Sequence, residues 1–378
     1  MDYNSAMSKP LVMVGLSGGV DSAVAAHLLL RDGYRVAALH MTNWEEDAKY
    51  CTSAQDLQDA RRVCDALGIT LHRVNFAERY RRQVFDYFLK EYQAGRTPNP
   101  DVLCYREIKF GVFRDYARRL GAHRIATGHY ARLITVDGQT RLLKGIDINK
   151  DQSYFLHAVS ERQLDNALFP LGELTKPQVR EIARDLGMPV HDKRDSTGIC
   201  FIGERPFREF LKQYLPAQPG DMVTADGTVV GRHEGLMYYT LGQRQGLGIG
   251  GRTGATQAPW YVAGKNLGTN QLVVVQGHDH PLLLRNSLET SEPHWINGMP
   301  ELLDQGTLQC TAKTRYRQPD RPCSVQASPT GLRVQFEQPQ WAVTPGQYLV
   351  LYQGDRCLGG AAIQSPTARE VAQLAAAV

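Results

Sequence analysis

Two features of this 378-residue chain have residue types and spacing suited to chemistry: a glycine- and serine-rich loop near the start, and cysteines at positions 104 and 200. The adjacent glycines let backbone N–H groups turn toward an anion, and a helix beginning directly after them adds partial positive charge. The serines can donate hydroxyl hydrogen bonds, and Asp21 could hold Mg²⁺ or a ligand hydroxyl. We therefore predict phosphate binding, against the alternative of a glycine turn that merely joins strand to helix. The loop consists of Gly15, Leu16, Ser17, Gly18, Gly19, Val20, Asp21 and Ser22.

Two common nucleotide-binding classes do not fit this loop. The Walker A pattern GxxxxGK[ST] is absent, and the loop contains no lysine. The GxGxxG pattern of dinucleotide-binding folds is also missing. Neither a P-loop NTPase nor a Rossmann dehydrogenase is favoured.

Cys104 ends a proline-containing segment, residues 94–104, that we predict to be an exposed, ordered loop leading into a helix. A thiol at a helix N-terminus is stabilised as the thiolate, which makes it a better nucleophile. Asp101, three residues earlier, could act as a general acid or base. Cys200 follows a glycine turn, but spacing alone is weak support for joint chemistry of the two cysteines.

The remaining cysteines indicate packing rather than chemistry. Seven scattered cysteines without a CxxC pair argue against a disulfide framework and against a structural zinc site. We predict no bound metal and buried structural roles for the other five, which are Cys51, Cys64, Cys310, Cys323 and Cys357.

The elements that position these residues alternate between strand and helix from Leu11 to about Phe210. Such βαβ alternation predicts an α/β domain with a doubly wound parallel sheet. Beyond about Tyr214 glycines become dense and short β-type runs recur with turn signals between them. We predict a catalytic domain over 1–212, a small Gly-rich central domain over 213–282 and a C-terminal antiparallel β-barrel over 283–378. The predicted helices include Ala23–Leu30, Ala54–Leu67, Tyr80–Tyr92, Arg106–Leu120 and Lys176–Leu186.

Composition places broad limits on partner and compartment. The net charge of +4 and isoelectric point near 8.6 are compatible with a polyanionic partner but do not require one. No apolar run approaches the length of a membrane span, and residues 1–10 lack the pattern of a signal peptide. We expect a cytoplasmic protein without membrane contact.

The phosphate loop, SGGVDS, resembles that of the PP-loop (N-type ATP pyrophosphatase) superfamily. Its members cleave ATP between the α and β phosphates and adenylate an acceptor oxygen. The loop alone does not choose among them.

Further motifs in the same order resemble the tRNA-specific 2-thiouridylase family from Leu11 to Ile363. Besides the phosphate loop they are Asn43–Glu46, Ala94–Cys104, Thr127–Tyr130, Lys150–Phe155, Asp195–Phe201, Leu241–Gly251 and Lys313–Arg317.

This resemblance implies a two-step reaction on the wobble uridine in the anticodon loop of certain tRNAs. ATP, with Mg²⁺, adenylates O2 of the base, and sulfur from a persulfide then displaces AMP to give 2-thiouridine. By the resemblance Cys104 is the nucleophile, Cys200 carries the persulfide delivered by a sulfur-carrier protein, and the two form a transient disulfide. Asp101 is the proton-transfer group. ATP is a substrate, and no tightly bound cofactor is expected.

The resemblance also assigns binding residues. The ATP contacts are the phosphate loop, Met41 and Gly128, whereas His129 either lines that site or caps a strand. The tRNA contacts are Asn99, Pro100 and Asp101 at the target base, then Lys150, Asp151 and Gln152, then Arg315 and Tyr316 in the β domain. The Gly242–Gly251 run either orders on tRNA or connects domains, and a monomer is expected.

Two alternatives remain at this point. One is another PP-loop synthetase, related to GMP or NAD synthetase, in which neither Cys104 nor Cys200 has a role. The other is a non-catalytic tRNA-binding protein. An intact SGGVDS loop together with both cysteines favours the thiolation enzyme.

Overall fold

Five parallel strands form the sheet that carries the phosphate loop, in the order β3-β2-β1-β4-β7. The computed structural model describes residues 10–44, 53–195, 207–250 and 258–364, so Cys51, Cys200 and Gly251 lie outside the described residues. The central strand β1 is paired with β2 on one side and with β4 on the other. The strands are β1 Leu11–Gly15, β2 Arg35–Thr42, β3 Thr70–Asn75, β4 Arg124–Ala126 and β7 Ala167–Leu168.

Helices cover both faces of this sheet because successive side chains of β1 point to opposite sides. Val12 and Val14 pack against helix Val20–Arg31, whereas Met13 packs among aromatic side chains of the helical segments 77–93 and 100–119. The predicted doubly wound α/β fold is confirmed. The helical pieces here are Val20–Arg31, Ser53–Leu67, Ala77–Tyr80, Arg81–Phe85, Asp86–Gln93, Pro100–Leu103, Cys104–Val112, Phe113–Arg119, Ser153–Leu156, Glu161–Leu164, Lys176–Asp185 and Phe207–Lys212.

One part of the N-terminal half departs from the predicted alternation. The antiparallel hairpin of β5 (Ala131–Val136) and β6 (Gln139–Lys144) does not join the parallel sheet. It extends the C-terminal sheet, where Leu143 is paired with Arg356, the first residue of strand β18 (Arg356–Ala362). The prediction of strand–helix alternation through to Phe210 is therefore wrong at residues 131–144.

A mixed four-stranded sheet, in the order β10-β11-β8-β9, forms the small central domain. Its strands β8 and β11 are parallel, and the two outer pairs are antiparallel. The strands are β8 Gly220–Val223, β9 Val229–His233, β10 Trp260–Asn266 and β11 Gln271–Gln276, with a 3₁₀ turn at Leu236–Tyr238.

The C-terminal domain is antiparallel, as predicted. Within the described residues its sheet has nine strands, including the hairpin of β5 and β6. Leu349 and Leu351 of β17 lie on its core side with Val325 and Val334 from the neighbouring strands. The other elements are β12 Leu284–Glu289, β13 His294–Trp295, β14 Thr307–Lys313, β15 Arg321–Ser328, β16 Gly331–Trp341, β17 Tyr348–Gln353, β18 Arg356–Ala362, helix Glu301–Asp304 and a 3₁₀ turn at Pro281–Leu283.

Candidate active site at the carboxyl ends of β1 and β4

The chain reverses its direction of winding between β1 and β4. From β1 it passes to β2 on one side, whereas β4 lies on the other side of β1. In open α/β sheets the crevice beyond such strand ends is where ligands bind. The phosphate loop follows Gly15 at the end of β1, and Thr127–Gly128–His129 follows Ala126 at the end of β4. The fold therefore brings two predicted ATP-binding segments to one crevice.

The phosphate loop is fixed by its two serines. Ser22 Oγ donates to the Gly19 carbonyl at 3.1 Å and lies 3.2 Å from Ser17 Oγ. The Gly19 N–H donates to Ser17 Oγ at 3.3 Å. Gly19 is the N-cap of helix Val20–Arg31, and no side chain caps that end. The first turn of this helix therefore presents its positive pole toward the crevice.

Two positions in the site require glycine because another part of the backbone approaches them closely. Gly18 has φ +80°, and a Cβ there would overlap the Asp56 carbonyl oxygen of helix Ser53–Leu67. A Cβ on Gly128 would lie 2.7 Å from the carbonyl carbon of Asp21. Gly128 therefore packs directly on the backbone of the phosphate loop. Met41, the third predicted ATP-binding position, is half-buried at the end of β2.

Lys176 supplies the cation that the loop itself lacks. Its Nζ donates to Asp21 Oδ1 at 2.6 Å and lies 2.8 Å from Asp195 Oδ1. The Tyr130 hydroxyl also donates to Asp21 Oδ1, at 2.8 Å. Lys176 is the first residue of helix Lys176–Asp185, where a capping box between Thr175 and Gln178 fixes it. Asp21 is thus held by protein groups, and sequence reasoning missed the lysine that holds it.

Asp195 connects the same lysine to the segment that leads toward position 200. It accepts from Lys150 Nζ at 2.8 Å and from Arg180 Nη2 at 2.7 Å, besides Lys176. Burial alone would raise the pKa of Asp195, but the hydrogen bonds from Lys150 and Lys176 outweigh it and lower this pKa to about 2. Asp195 is therefore ionised at neutral pH.

Lys193 ties this segment to the phosphate loop a second time. Its Nζ donates to the Gly18 carbonyl at 3.1 Å, to Asp56 at 2.8 Å and to Asp59 at 2.6 Å. The residues just before the Cys200 region are thus bonded to the loop that we predict binds ATP. Cys200 itself lies outside the described residues.

Cys104 lies one turn inside a helical segment rather than at its start. Asn99 caps the segment by accepting from the Asp101 N–H at 3.2 Å, and Pro100 occupies its first position. Proline is tolerated there because the first N–H of a helix has no intrahelical partner. The predicted exposed loop up to Cys104 is therefore wrong beyond Asn99.

The Cys104 side chain is fully buried, and Asp101 is half-buried. Cys104 begins a stretch of wider π-type turns, Cys104–Val112, in the middle of the segment. Such turns are frequent at functional sites, where they change the direction of side chains. The proposed activation of this thiol by a helix N-terminus is not supported by its position.

Aromatic packing connects the cysteine to the crevice. Tyr105 lies edge-on to His129, with ring centroids 4.7 Å apart, and Phe113 lies 3.5 Å from where a Gly15 Cβ would be. The His129 ring is buried beside the Thr127 hydroxyl, and its pKa is well below the usual value because of desolvation. A neutral His129 between Gly128 and Tyr105 thus links the loop to the cysteine-bearing helix.

The predicted tRNA-binding triplet 150–152 has mixed exposure. Lys150 is half-exposed and paired with Asp195, and Gln152 accepts from the Tyr130 N–H at 3.0 Å. Asp151 is only 3% exposed and accepts hydrogen bonds from Gly145 N–H, Ser153 and Lys313. The Asp151 side chain is therefore bonded within the protein, and its predicted contact with tRNA stays a prediction.

The second predicted tRNA-binding pair also points inward. Arg315 Nη2 donates to the carbonyls of Leu241 and Ala342, the first at 2.9 Å. Desolvation lowers the pKa of Arg315. Tyr316 is half-buried against Phe155, with ring centroids 4.3 Å apart. Arg315 bridges the central and C-terminal domains in this structure, so a free guanidinium for phosphate is not what the geometry provides.

Among the described residues no group of three or more His, Cys, Asp or Glu side chains is arranged to hold a metal ion. In the same part of the chain no helix combines the length and apolarity required to cross a bilayer.

Three family models match the chain in sequence. They are described as a tRNA methyl transferase HUP domain over residues 10–204, a tRNA methyl transferase PRC-barrel domain over 208–276 and an aminomethyltransferase beta-barrel domain over 285–363. Their order agrees with the three parts that the sequence predicts. The predicted boundaries at 212 and 282 themselves stay predictions.

Curated relatives match over nearly the whole length. The tRNA-specific 2-thiouridylase MnmA of Pseudomonas fluorescens (strain SBW25) is 58% identical over 94% of this chain and 95% of its own. The protein of the same name from Klebsiella pneumoniae is 57% identical over 94% of this chain and 97% of its own. A solved 4-thiouridine synthetase–RNA complex with bound ATP is 20% identical over 55% of this chain and 50% of its own, with a TM-score of 0.37.

Proposed function

Because the chain belongs to the tRNA-specific 2-thiouridylase family, we propose that it replaces O2 of a tRNA wobble uridine by sulfur in an ATP-dependent reaction. The observation that carries this proposal is the convergence of the phosphate loop and the Cys104 helical segment at one crevice, through Gly128, His129 and Tyr105. A uridine carbonyl is a poor electrophile until its oxygen is capped. An ATP site beside a thiol therefore fits activation followed by sulfur transfer.

In the first step the uridine O2 attacks the α phosphorus of ATP, and pyrophosphate leaves. The uncapped start of helix Val20–Arg31 and the two loop serines suit the phosphates. Mg²⁺ enters with ATP as part of the substrate. Lys176, already paired with Asp21 and Asp195, adds positive charge beside the departing pyrophosphate.

In the second step a persulfide on Cys200 attacks C2 of the adenylated base. The Cys104 thiolate then attacks the inner sulfur of Cys200, which breaks the S–S bond and forms a Cys104–Cys200 disulfide. The sulfur left on C2 forms the C=S bond as AMP departs, and Asp101, which takes the N3 proton when O2 is adenylated, returns that proton to N3. A donor protein reloads Cys200 after a reductant opens the disulfide. The fully buried Cys104 agrees with an attack shielded from water.

The target base must leave its stack to reach this crevice. Asn99, Pro100 and Asp101 are the proposed contacts with the base, and Lys150 and Gln152 the proposed contacts with neighbouring nucleotides. In this proposal Asp151 and Arg315 act by holding the surfaces that present those residues, because both side chains are bonded inside the protein. We expect one chain to act on one tRNA in the cytoplasm.

Two of the three family models are named for methyl transfer, whereas the curated relatives are named for thiolation. A methyl transferase has no use for an ATP-type phosphate loop beside a buried cysteine. Full-length relatives at 57–58% identity carry the thiouridylase name, which also argues against a GMP or NAD synthetase.

The test is an assay with the purified full chain, a tRNA transcript, ATP-Mg²⁺ and a persulfide donor, read by mass spectrometry of the nucleosides. We expect 2-thiouridine and AMP in a one-to-one ratio. Neither product should form when S-adenosylmethionine replaces ATP-Mg²⁺ and the persulfide donor. Cys200→Ala should abolish thiolation, whereas Cys310→Ala, a half-exposed cysteine in β14, should leave it unchanged. Absence of thiolation by the wild type, or full activity of Cys200→Ala, would refute the proposal.

A further inference from the structure

A short strap, residues 94–98, connects the helical segment 77–93 to the segment that carries Asp101 and Cys104. Because it runs directly into Asn99, any movement of the strap moves the proposed base-contacting residues. The strap is held from outside by both of the other domains.

The C-terminal domain holds the strap through its backbone. The Thr97 N–H donates to the Pro345 carbonyl at 2.9 Å, and Gln347 Nε2 donates to the Thr97 carbonyl at 2.9 Å. These bonds fix the end of the strap nearest to Asn99.

The central domain holds the other end. Lys265 Nζ, at the end of β10, donates to the Gly95 carbonyl at 2.9 Å. The Leu267 side chain lies 2.6 Å from where a Gly95 Cβ would be, so it is seated directly on the strap. Gly95 has φ +74°, which favours glycine and leaves room for this contact.

Lys265 is an unusual choice for a purely structural contact. Desolvation lowers its pKa to about 8, and within the described part of the chain no carboxylate lies within 4 Å of its Nζ. Burying an ammonium without a charged partner costs free energy that an apolar residue would not. Within the described residues, the compensating contact is the hydrogen bond from Lys265 Nζ to the Gly95 carbonyl of the strap.

We propose that Lys265, with Leu267 beside it, is a positioning residue for thiolation: it sets the strap, and through it Asn99, Asp101 and Cys104, from the central domain. The inference rests on the proposed function and deepens it by giving the central domain a role in the reaction. A misplacement of about 1 Å at a reacting group can lower a rate by roughly 100-fold. Loss of one hydrogen bond to the strap is therefore expected to lower kcat.

The test compares Lys265→Met with Lys90→Met in the full-length chain, using the thiolation assay. Lys90 is an exposed lysine on the helical turns that lead to the strap, so the charge change is the same. We expect kcat for Lys265→Met to fall about tenfold or more, with KM for tRNA within about twofold of the wild type and Lys90→Met unchanged. A lysine that only binds tRNA would raise KM, and a lysine that only stabilises the fold would lower the melting temperature at unchanged kcat. Either result overturns the inference.

A second pair of variants covers the case in which Lys265→Met does not fold. Leu267 is 56% exposed and Leu302 is 53% exposed, but only Leu267 is seated on the strap. Leu267→Ala should lower kcat at unchanged KM, and Leu302→Ala should not, whereas equal kcat values for the two overturn the inference. Inactivity of the wild type overturns the proposed function and this inference together, so the two failures are distinguishable.

Discussion

A single lysine pairs with two carboxylates beside the phosphate loop. Lys176 is 7% exposed, and its Nζ lies within 2.8 Å of both Asp21 and Asp195. Asp195 keeps its ion pairs with Lys150 and Arg180 when this ammonium is removed, but the Asp21 carboxylate loses its ion pair and faces the phosphates of ATP. We therefore expect Lys176→Met to slow tRNA-dependent pyrophosphate release on the order of 100-fold.

The measurement for this variant is enzyme-coupled pyrophosphate detection under saturating tRNA. Lys212→Met is the matched control, since Lys212 is half-exposed and pairs with Glu234 at the protein surface. Pyrophosphate release by Lys176→Met at the wild-type rate would show that the lysine only stabilises the fold.

The sequence could not have identified Lys176. It contacts Asp21 across 155 residues of chain, and its neighbours form an ordinary capped helix start. The loop glycines and serines were predictable because their chemistry is local. A long-range ion pair has no local pattern, since it depends on how helix Lys176–Asp185 packs against helix Val20–Arg31.

Asp195 gives a pH-dependent prediction. Its pKa is about 2 in the folded chain, against 3.8 for an ordinary aspartate. A lowered pKa means that its ion pairs stabilise the fold above pH 4 and that this stabilisation is lost as the pH falls from about 4 to 2. We expect Asp195→Asn to be less stable than the wild type by about 1–2 kcal/mol at pH 6, after allowance for its partial exposure.

Urea unfolding at pH 6, 4 and 2 measures this difference, which should shrink as Asp195 becomes protonated. Asp32→Asn is the control, because the Asp32 side chain is 51% exposed and its ion pair with Arg31 lies at the surface. A difference between wild type and Asp195→Asn that stays constant over the whole range would contradict the role of these ion pairs.

At the scale of elements, the phosphate loop depends on a glycine that must satisfy two requirements at once. Gly18 has φ +80° and no room for a Cβ, because the Asp56 carbonyl is in the way. Gly68 has φ +66° at the end of helix Ser53–Leu67, but open space around it. Alanine at either position should cost about 1 kcal/mol of backbone strain, while only Gly18→Ala should also shift the loop and weaken ATP binding tenfold or more.

Calorimetric titration with ATP-Mg²⁺ and thermal unfolding of both glycine variants separate the two effects. A larger loss of both melting temperature and ATP affinity in Gly18→Ala than in Gly68→Ala is the expected pattern, because only Gly18→Ala places a Cβ against the Asp56 carbonyl. Equal ATP affinity in the two variants would mean that the close approach of the Asp56 carbonyl has no effect on the loop.

Elements with a local apolar pattern were predictable, and those defined by distant partners were not. Helix Lys176–Asp185 begins at the predicted residue because Thr175 and Pro177 are local signals. The segment at Pro100 is predicted as a loop because its two prolines lie among residues typical of turns. Asn99 and Pro100 are, however, also residues that favour the start of a helix. The hairpin 131–144 has strand-like residues, but nothing local indicates that its partner is Arg356.

At the scale of the whole molecule, the three domains meet around the candidate active site. The hairpin of β5 and β6 carries part of the N-terminal chain into the C-terminal sheet, and Arg315 joins that sheet to the central domain. The Tyr154 hydroxyl donates to the Tyr348 carbonyl at 2.9 Å, deep in the same junction. Because the C-terminal sheet includes two strands from the N-terminal half of the chain, the C-terminal domain cannot move freely against the N-terminal domain. The candidate active site is therefore shaped by all three domains.

The buried pair of Lys313 and Asp151 is where this junction can be tested. Lys313 Nζ lies 3.2 Å from Asp151 Oδ2, and the two side chains are 9% and 3% exposed. Lys313→Met leaves the Asp151 carboxylate buried without its cation, so we expect a loss of about 3 kcal/mol of unfolding free energy. In Lys313→Met with Asp151→Asn the uncompensated charge is gone, and part of that loss should be recovered.

A double-mutant cycle by urea unfolding should therefore give a coupling free energy of about 2 kcal/mol for this pair. The reason is that each substitution lowers the unfolding free energy more in the wild-type background than in the background that already lacks the other partner. The surface pair Arg31 and Asp32, 63% and 51% exposed, provides the comparison and should couple by less than about 1 kcal/mol. If the Lys313 and Asp151 substitutions were simply additive, the ion pair would not join the domains energetically. Thiolation should fall along with stability in the single variant and recover in part in the double variant, because Asp151 holds the loop that presents Lys150 and Gln152 beside the crevice.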